Sequence, residues 1–423
     1  MDQLKEKVAK VVQDNLEETI QLTQQLIRYP STSRNEKEAQ MFYAEQLQKL
    51  SCEVDIWEPD IEKMKTHPAF LTTRENFTGS PNVIGVLRGI GGGRSIILNG
   101  HVDVVPEGQE CWKDSPWSGK VIDGKIYGRG ASDMKGGNIT NLMALKAIQS
   151  AGIKLKGNVI IESVVEEEAG GAGTLAAIMR GYRADGAIIP EPSDLKIYPV
   201  AMGSMWFRVR VKGYAAHGAT AYLGVNALEK AALILNALKE LQAKRSVQKS
   251  HPLYRHMPIP FCINVGTMRG GAWPSSVPVD AVMEGRMGVS PDETIEEAKI
   301  QLEEAIQKIA ASDDWLKDNI PEIEWFGSCW NSGGIEIDHP LIDLVQNNYL
   351  KIMGKAPEIV GAPWATDAGV LIRYGGIPTI IFGPGTGTMA HQSNEYIEIE
   401  NMIKAIKIIA FTILDWCGYE DKQ

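Results

Sequence analysis

The sequence predicts an α/β protein, a mostly parallel, doubly wound sheet interrupted by an α+β insert of ferredoxin-like order. Three observations predict it. Short, nearly unbroken apolar runs alternate with helical patterns in the first half of the chain. Near residue 200 the runs change to polar–apolar alternation, and after residue 327 the earlier pattern resumes. Unbroken apolar strands are those covered on both faces, whereas alternation marks a sheet with one wet face. The expected division is residues 1–199 with 328–423 as one domain and 200–327 as an inserted one.

The elements follow in order. Leu4, Val8, Val11, Val12, Leu16 and Ile20 recur at helical spacing and predict an amphipathic N-terminal helix. Residues 83–87 and 95–100 read as strands, then 136–150 as a helix. Residues 158–165 are a β-branched apolar run, followed by a helix near 173–180 and a short strand at 187–190. In the insert, 202–213 alternates as a half-wet strand, 225–241 is helical, and 261–268 and 277–287 are strands. The stretch Ser290-Pro-Asp-Glu opens a further helix, with acidic residues suited to its dipole, and 323–325 is a last strand. That order, βαββαβ, is the split ferredoxin-like unit. Residues 378–385 then read as a buried strand of the first domain.

Composition narrows the function. The 423 residues carry 43 Lys+Arg against 53 Asp+Glu, a net charge of −10, which argues against nucleic acid or an anionic membrane as partner. Five scattered cysteines with no CxxC pair exclude a disulfide framework or thiolate zinc site and suit a reducing, cytoplasmic setting. The first residues lack the apolar core of a secretion signal, and no apolar run is long enough for a membrane span.

Metal-ligating side chains cluster just after the predicted strands. His101 and Asp103 follow the second strand, and Asp133 sits in a Gly-rich turn before a helix. Glu166, Glu167 and Glu168 follow the 158–165 run, Glu191 follows 187–190, and His391 follows the late strand. Taken singly, each has an ordinary reading: a loop histidine, an N-cap, a solvated helix start, a turn. Taken together they fit one site, because all strands of a parallel sheet end on the same edge, where ligands bind.

The motifs His101-Val-Asp103-Val-Val-Pro106, Gly128-Arg-Gly-Ala-Ser-Asp133-Met-Lys-Gly136, Glu166-Glu167-Glu168-x-Gly170, Glu191-Pro-Ser193 and the late His391 resemble the M20 metallopeptidases. That family includes acetylornithine deacetylases and succinyl-diaminopimelate desuccinylases, and the resemblance spans nearly the whole chain. It implies two divalent ions, zinc or cobalt. Asp133 would bridge them, Glu168 and His391 would complete one, and His101 and Glu191 the other. Glu167 would be the general base, and Asp103 would bond the far nitrogen of His101 and fix its tautomer. His217, in the insert, would donate to the substrate oxyanion, and the insert would act as lid and homodimer interface.

Two departures bear on substrate. Many relatives carry Asn where this chain has Ser275 and Arg where it has Gly288, and that pair commonly grips a substrate carboxylate. Arg286, two positions earlier on the same strand face, is a candidate substitute. Trp273, Trp330 and Trp364 are candidate pocket walls, and Gly385 lets a ligand approach the backbone. His67, His251, His256 and His339 receive no role. The expected activity is hydrolysis of a small acyl group, acetyl, formyl or similar, from the nitrogen of a small substrate, acetylornithine deacetylase-like, with an N-formyl-aminopyrimidine deformylase kept open by the changed Ser275 and Gly288 positions. A dipeptidase or carboxypeptidase on the same ions is the alternative, and a metal-free binding protein on this fold is a third reading that the intact ligand set opposes.

Overall fold

A computed structural model describes residues 3–248 and 251–420. The chain divides into two compact units, Met1–Val200 with Gly334–Ala362 and Val370–Gln423, and Ala201–Gly333 with Pro363–Gly369.

The sheet of the first unit runs in the order Glu53–Trp57, Asn82–Leu87, Val159–Val164, Ile96–His101, Ala187–Ile189, Thr379–Ile381, Ile197–Ala201. The four strands from Val159–Val164 to Thr379–Ile381 are mutually parallel. The strands flanking them, Asn82–Leu87 and Ile197–Ala201, pair antiparallel. Every residue of Ile96–His101 and Val159–Val164 is buried, as strands covered on both faces require. Each large aliphatic side chain so covered contributes about 1.5–3 kcal/mol.

Helices cover both faces. Gly100 is pressed by Asn138 of the helix Gly136–Ser150, whereas Asn99 donates to Thr174 Oγ1 of the helix Ala172–Arg180 at 2.9 Å. Successive strand residues point to opposite faces, so these helices lie on opposite sides of the sheet. The helix Ile399–Cys417, apolar over most of its length, packs beside Gly136–Ser150.

The N-terminal stripe forms two helices rather than one, Gln3–Asp14 and Leu16–Ile27, broken at Asn15. Val8 and Val12 are buried in the first, while Leu16 and Ile20 of the second are only half-buried. The break turns the second helix so that Thr19, Thr23, Leu26 and Ile27 face inward instead.

The second unit is a four-stranded antiparallel sheet, Ile263–Gly270, Asp280–Val289, Gly203–Lys212, Glu322–Trp330 in spatial order. The helices Ala227–Gln248 and Ile295–Ser312 pair with each other and pack against it. Met205, Phe207, Val209 and Val211 are buried while Trp206 between them is exposed, the period of two expected of a half-wet strand. The second helix starts later than Ser290 suggests. Its cap is Thr294, in a reciprocal capping box with Glu297. Glu293 is drawn inward instead, where it pairs with buried Arg245. Among the described residues no helix is long and apolar enough to cross a membrane.

Candidate metal centre

The four parallel strands lead into the residues singled out above, and the turns after them converge. His101 Nε2 lies 3.2 Å from Asp133 Oδ1, 3.6 Å from Glu191 Oε1 and 3.9 Å from Glu167 Oε2. His391 Nε2 lies 3.3 Å from Asp133 Oδ2 and 3.1 Å from Glu168 Oε2. Each oxygen of Asp133 thus faces a different histidine. Ligand atoms of His101, Glu167 and Glu191 lie within 4.8 Å of one another, as do those of His101, Asp133 and Glu168.

The chain holds these groups from behind. His101 Nδ1 donates to the main-chain carbonyl of Asp103 at 2.8 Å, which leaves Nε2 as the nitrogen turned toward the carboxylates. Burial opposes the charged ring, but Glu191 and Asp133 outweigh it and hold His101 well above the ordinary imidazole range. The ring's orientation is held by the main-chain carbonyl of Asp103 rather than by its carboxylate, whose nearer oxygen stands 3.7 Å away. The carboxylate is occupied elsewhere: it accepts the N–H groups of Glu167 at 3.3 Å and Glu168 at 3.1 Å, fixing the turn that carries both glutamates.

Glu166, the first of the three glutamates, points away from the cluster. It sits in the left-handed region, φ +65°, and accepts from Thr72 Oγ1 at 2.5 Å and Arg74 Nη1 at 3.0 Å. Arg74 also pairs with buried Glu36 at 3.0 Å. A strained conformation in a non-glycine residue persists only where neighbours impose it, and here they form a buried network. On the Asp133 side, the buried Glu395 carboxylate accepts the N–H groups of Gly130 at 3.0 Å, Ser132 at 2.8 Å and Asp133 at 3.0 Å. Glu36, Arg74, Arg129 and Glu395 were not legible as site residues. Only the Gly-Arg-Gly context of Arg129, inside the Asp133 motif, could have drawn attention to one of them.

Electrostatics make the cluster a candidate cation site. Burial pushes the Glu191 carboxyl up to about 7 and that of Asp103 up to about 8. Hydrogen bonds to Asp133 and then Glu168 raise the His391 imidazole to about 10. Burial also works against the ionised form of Asp133, but the two histidines outweigh it and hold that carboxyl below its ordinary range. Four carboxylates, those of Asp133, Glu167, Glu168 and Glu191, face two imidazoles. Buried charge of one sign is costly unless paired or metal-bound. The mixed nitrogen and oxygen donors, with a shared carboxylate at the centre, fit divalent cations such as zinc.

Most of the remaining candidates belong to the second unit. His217 is exposed, and its Nδ1 accepts the N–H of Ala219 at 3.1 Å. His67, His251 and His339, which have no assigned role, make the same local bond at 3.1–3.2 Å. The carbonyl of exposed Ser275 accepts the N–H of Gly218 at 2.7 Å, which joins its loop to that of His217. Arg286 is half-buried on its strand, opposite Trp206 and Asn264. Trp273 is exposed, and Trp330 and Trp364 are half-buried. Gly385 is buried with no room for a Cβ, which would stand 2.5 Å from the carbonyl oxygen of Ser132, so its absent side chain serves packing of the Asp133 loop.

Known proteins give the context. The profile of peptidase family M20/M25/M40 matches residues 97–415. The chain is 33% identical, over all of both chains, to the N-formyl-4-amino-5-aminomethyl-2-methylpyrimidine deformylase of Bacillus subtilis. It is 28% identical to the acetylornithine deacetylase of Shigella sonnei, over 81% of this chain and 85% of that one. Its fold is similar to that of the di-peptidase Dug1p from Saccharomyces cerevisiae, at TM-score 0.73 and 12% identity over the full length of both. With a family profile spanning most of the chain and a full-length relative at this identity, the protein belongs to peptidase family M20/M25/M40 and is a hydrolase.

Proposed function

We propose that this hydrolase removes a formyl group from the amine nitrogen of a small aminopyrimidine, by amide hydrolysis at a centre of two divalent ions. The site reading rests on one observation above all: the two oxygens of Asp133 face two different histidines. Asp133 would be shared between the ions, with Glu168 and His391 completing one position and His101 and Glu191 the other. Zinc is the ion this donor set favours, with cobalt a workable substitute. When bound, such ions supply Lewis acidity and lower the pKa of water.

The protein's own groups do the rest. Glu167 takes the proton of the attacking water and returns it to the leaving nitrogen, so that formate and the free amine depart. Asp103 keeps Glu167 and Glu168 at fixed places through their N–H groups. His217 donates a hydrogen bond to the substrate oxygen as negative charge gathers there, a role typical of oxyanion donors. Ser275 is a candidate substrate contact, Arg286 is one only for a substrate that bears a carboxylate, and Gly385 keeps the Asp133 loop close to the site.

The choice of formyl over acetyl, and of a pyrimidine over an amino acid, is supported by the full-length likeness to the deformylase. Ser275 and Gly288, where many relatives grip a carboxylate, point the same way. A homodimer formed through the 200–327 segment, in a reducing cytoplasmic setting that suits five free cysteines, completes the reading. The test is amine release from N-formyl, N-acetyl, N-succinyl and dipeptide substrates with zinc or cobalt added. Fastest turnover of the formylated aminopyrimidine supports the proposal; fastest turnover of a dipeptide refutes it. Light scattering at micromolar concentration tests the dimer, which a fully active monomer would exclude.

A further inference from the structure

We infer that the buried pair Arg129–Glu395 is a positioning device that holds the shared ligand Asp133 and the late ligand His391 in one frame, so that the two ion sites are built together. The inference rests on the two-ion reading above.

The two ligands need such a frame for different reasons. Asp133 lies on a turn entered through Gly130 at φ +83°, so local helix or strand geometry does not hold it. The His391 ring is 52% exposed, against 1% for His101, so packing does not hold it either. Its backbone is also left-handed, φ +62°, a conformation that a non-glycine residue keeps only under external constraint.

One ion pair meets both needs. The carboxylate of Glu395 uses Oε1 for the N–H groups of Ser132 and Asp133, and Oε2 for the N–H of Gly130 and for Arg129 Nη1 at 2.8 Å. Its own carbonyl accepts the N–H of Gly128 at 2.9 Å. Arg129 then reaches the other loop, donating to the carbonyls of Gln392 at 3.2 Å and His391 at 3.4 Å. It donates also to the carbonyls of Pro106 at 3.3 Å and Glu107 at 3.5 Å, the segment that follows His101 and Asp103. Both side chains are almost fully buried, 2% and 0% exposed, so these bonds are not exchanged with water. Four donors converge on one carboxylate, and an amide in its place offers only one acceptor oxygen.

The two ends of the device therefore fail differently. Arg129→Met leaves the three N–H bonds to Glu395 but removes its counter-charge and releases the carbonyls of His391, Gln392, Pro106 and Glu107, so its largest effect falls on the His391 loop. It should weaken the ion position completed by His391 much more than the other. Glu395→Gln turns an NH2 group toward Gly130 or Asp133 and leaves Arg129 without its counter-charge, so it should weaken both positions. The experiment is metal titration by calorimetry, with bound metal per chain measured by mass spectrometry, on wild type, Arg129→Met, Arg129→Lys and Glu395→Gln, each checked by circular dichroism.

The expected result is two ions for wild type. Arg129→Met should hold one tight ion and a second weakened at least about tenfold, with turnover restored by excess zinc. Glu395→Gln should have both weakened. Arg129→Lys keeps the charge on Glu395 but loses the fork that reaches His391, so it should show a smaller form of the Arg129→Met pattern, and it carries the test if Arg129→Met does not fold. Two tight ions in folded Arg129→Met, or equal loss of both in folded Arg129→Met or Arg129→Lys, would overturn the inference and leave the two-ion reading standing. Fewer than two ions in wild type would overturn the reading itself.

Discussion

His101 ends a strand and His217 stands shortly after one, yet the chain treats them in opposite ways. His101 is buried, its Nδ1 is spoken for by a main-chain carbonyl, and its Nε2 faces three carboxylates. His217 is exposed, and its Nδ1 caps a local turn by accepting the N–H of Ala219, as three histidines without an assigned role also do at theirs. The same contrast separates their surroundings. The ligand turns of the first unit are tied from behind by buried Asp103, Glu166, Glu395 and Arg129. The loops bearing His217 and Ser275 in the second unit are joined by backbone bonds and largely open to water. A site whose buried like charges are left facing one another declares its ligand. An exposed polar residue declares nothing until its partner is present.

The contrast can be broken or sharpened by substitution. The largest effect is expected at Glu167. Glu167→Gln should keep the fold and the ions, because the side chain changes little in shape, and lower kcat by about 10²–10⁴-fold. Steady-state kinetics with metal analysis on the same sample checks both halves, and near-normal turnover would remove Glu167 as the base. Glu168→Ala, by contrast, should lose metal as well as turnover.

Removal of the metal tests the same region. A chelator should abolish activity, with zinc or cobalt restoring it. Uptake by the metal-free protein should also tighten as pH rises. His391 keeps its proton to about 10 and Glu191 to about 7 in the metal-free site. Both values are raised, so below them a proton must leave before the group can ligate. Affinity then falls by about tenfold per pH unit for each proton displaced. Calorimetry in buffers of different ionisation enthalpy measures that proton release, and uptake without it would contradict the assignment of these two ligands.

In the second unit, Gly288 offers a smaller and different effect. Restoring the arginine common among relatives should not restore a carboxylate grip. The residue is buried, a Cβ would stand 3.0 Å from the backbone of Phe261, and its carbonyl is held by Arg245. Gly288→Arg should therefore cost about 1–3 kcal/mol or more through overpacking, read as a lowered denaturation midpoint. Stability equal to wild type would show that the strand has room the structure denies it.

The smallest effect is expected at Arg286. Arg286→Ala should change KM little for the formylated aminopyrimidine and raise it for substrates that bear a carboxylate. Equal changes for charged and neutral substrates would make Arg286 a structural residue of its strand.

Much of the site was legible because its residues belong to motifs whose spacing is local. His101, Asp133, Glu167, Glu168 and Glu191 each follow a strand or turn that the sequence marks by itself, and parallel strands must end on one edge. The periodicities of the insert were equally plain, since burial of one sheet face imposes a period of two. What supports the ligands was not legible. Glu395 is remote in sequence from Asp133, and Arg74 sits in an irregular stretch between Met64 and Asn82. No pattern of neighbours announces that either is buried. Nor could the sequence tell which atom of Asp103 holds His101. The choice between its carbonyl and its carboxylate depends on where the Glu167–Glu168 N–H groups arrive. By itself, then, the sequence determined the strand-and-helix order, the two kinds of sheet and the gathering of candidate ligands at strand ends, because those follow from local periodicity and from where parallel strands end. Tertiary structure alone decided which buried charges pair, which glutamate of three turns away, and which bonds aim the rest. Hydrogen-bond partners are allotted by distances of about 3 Å between groups far apart in the chain.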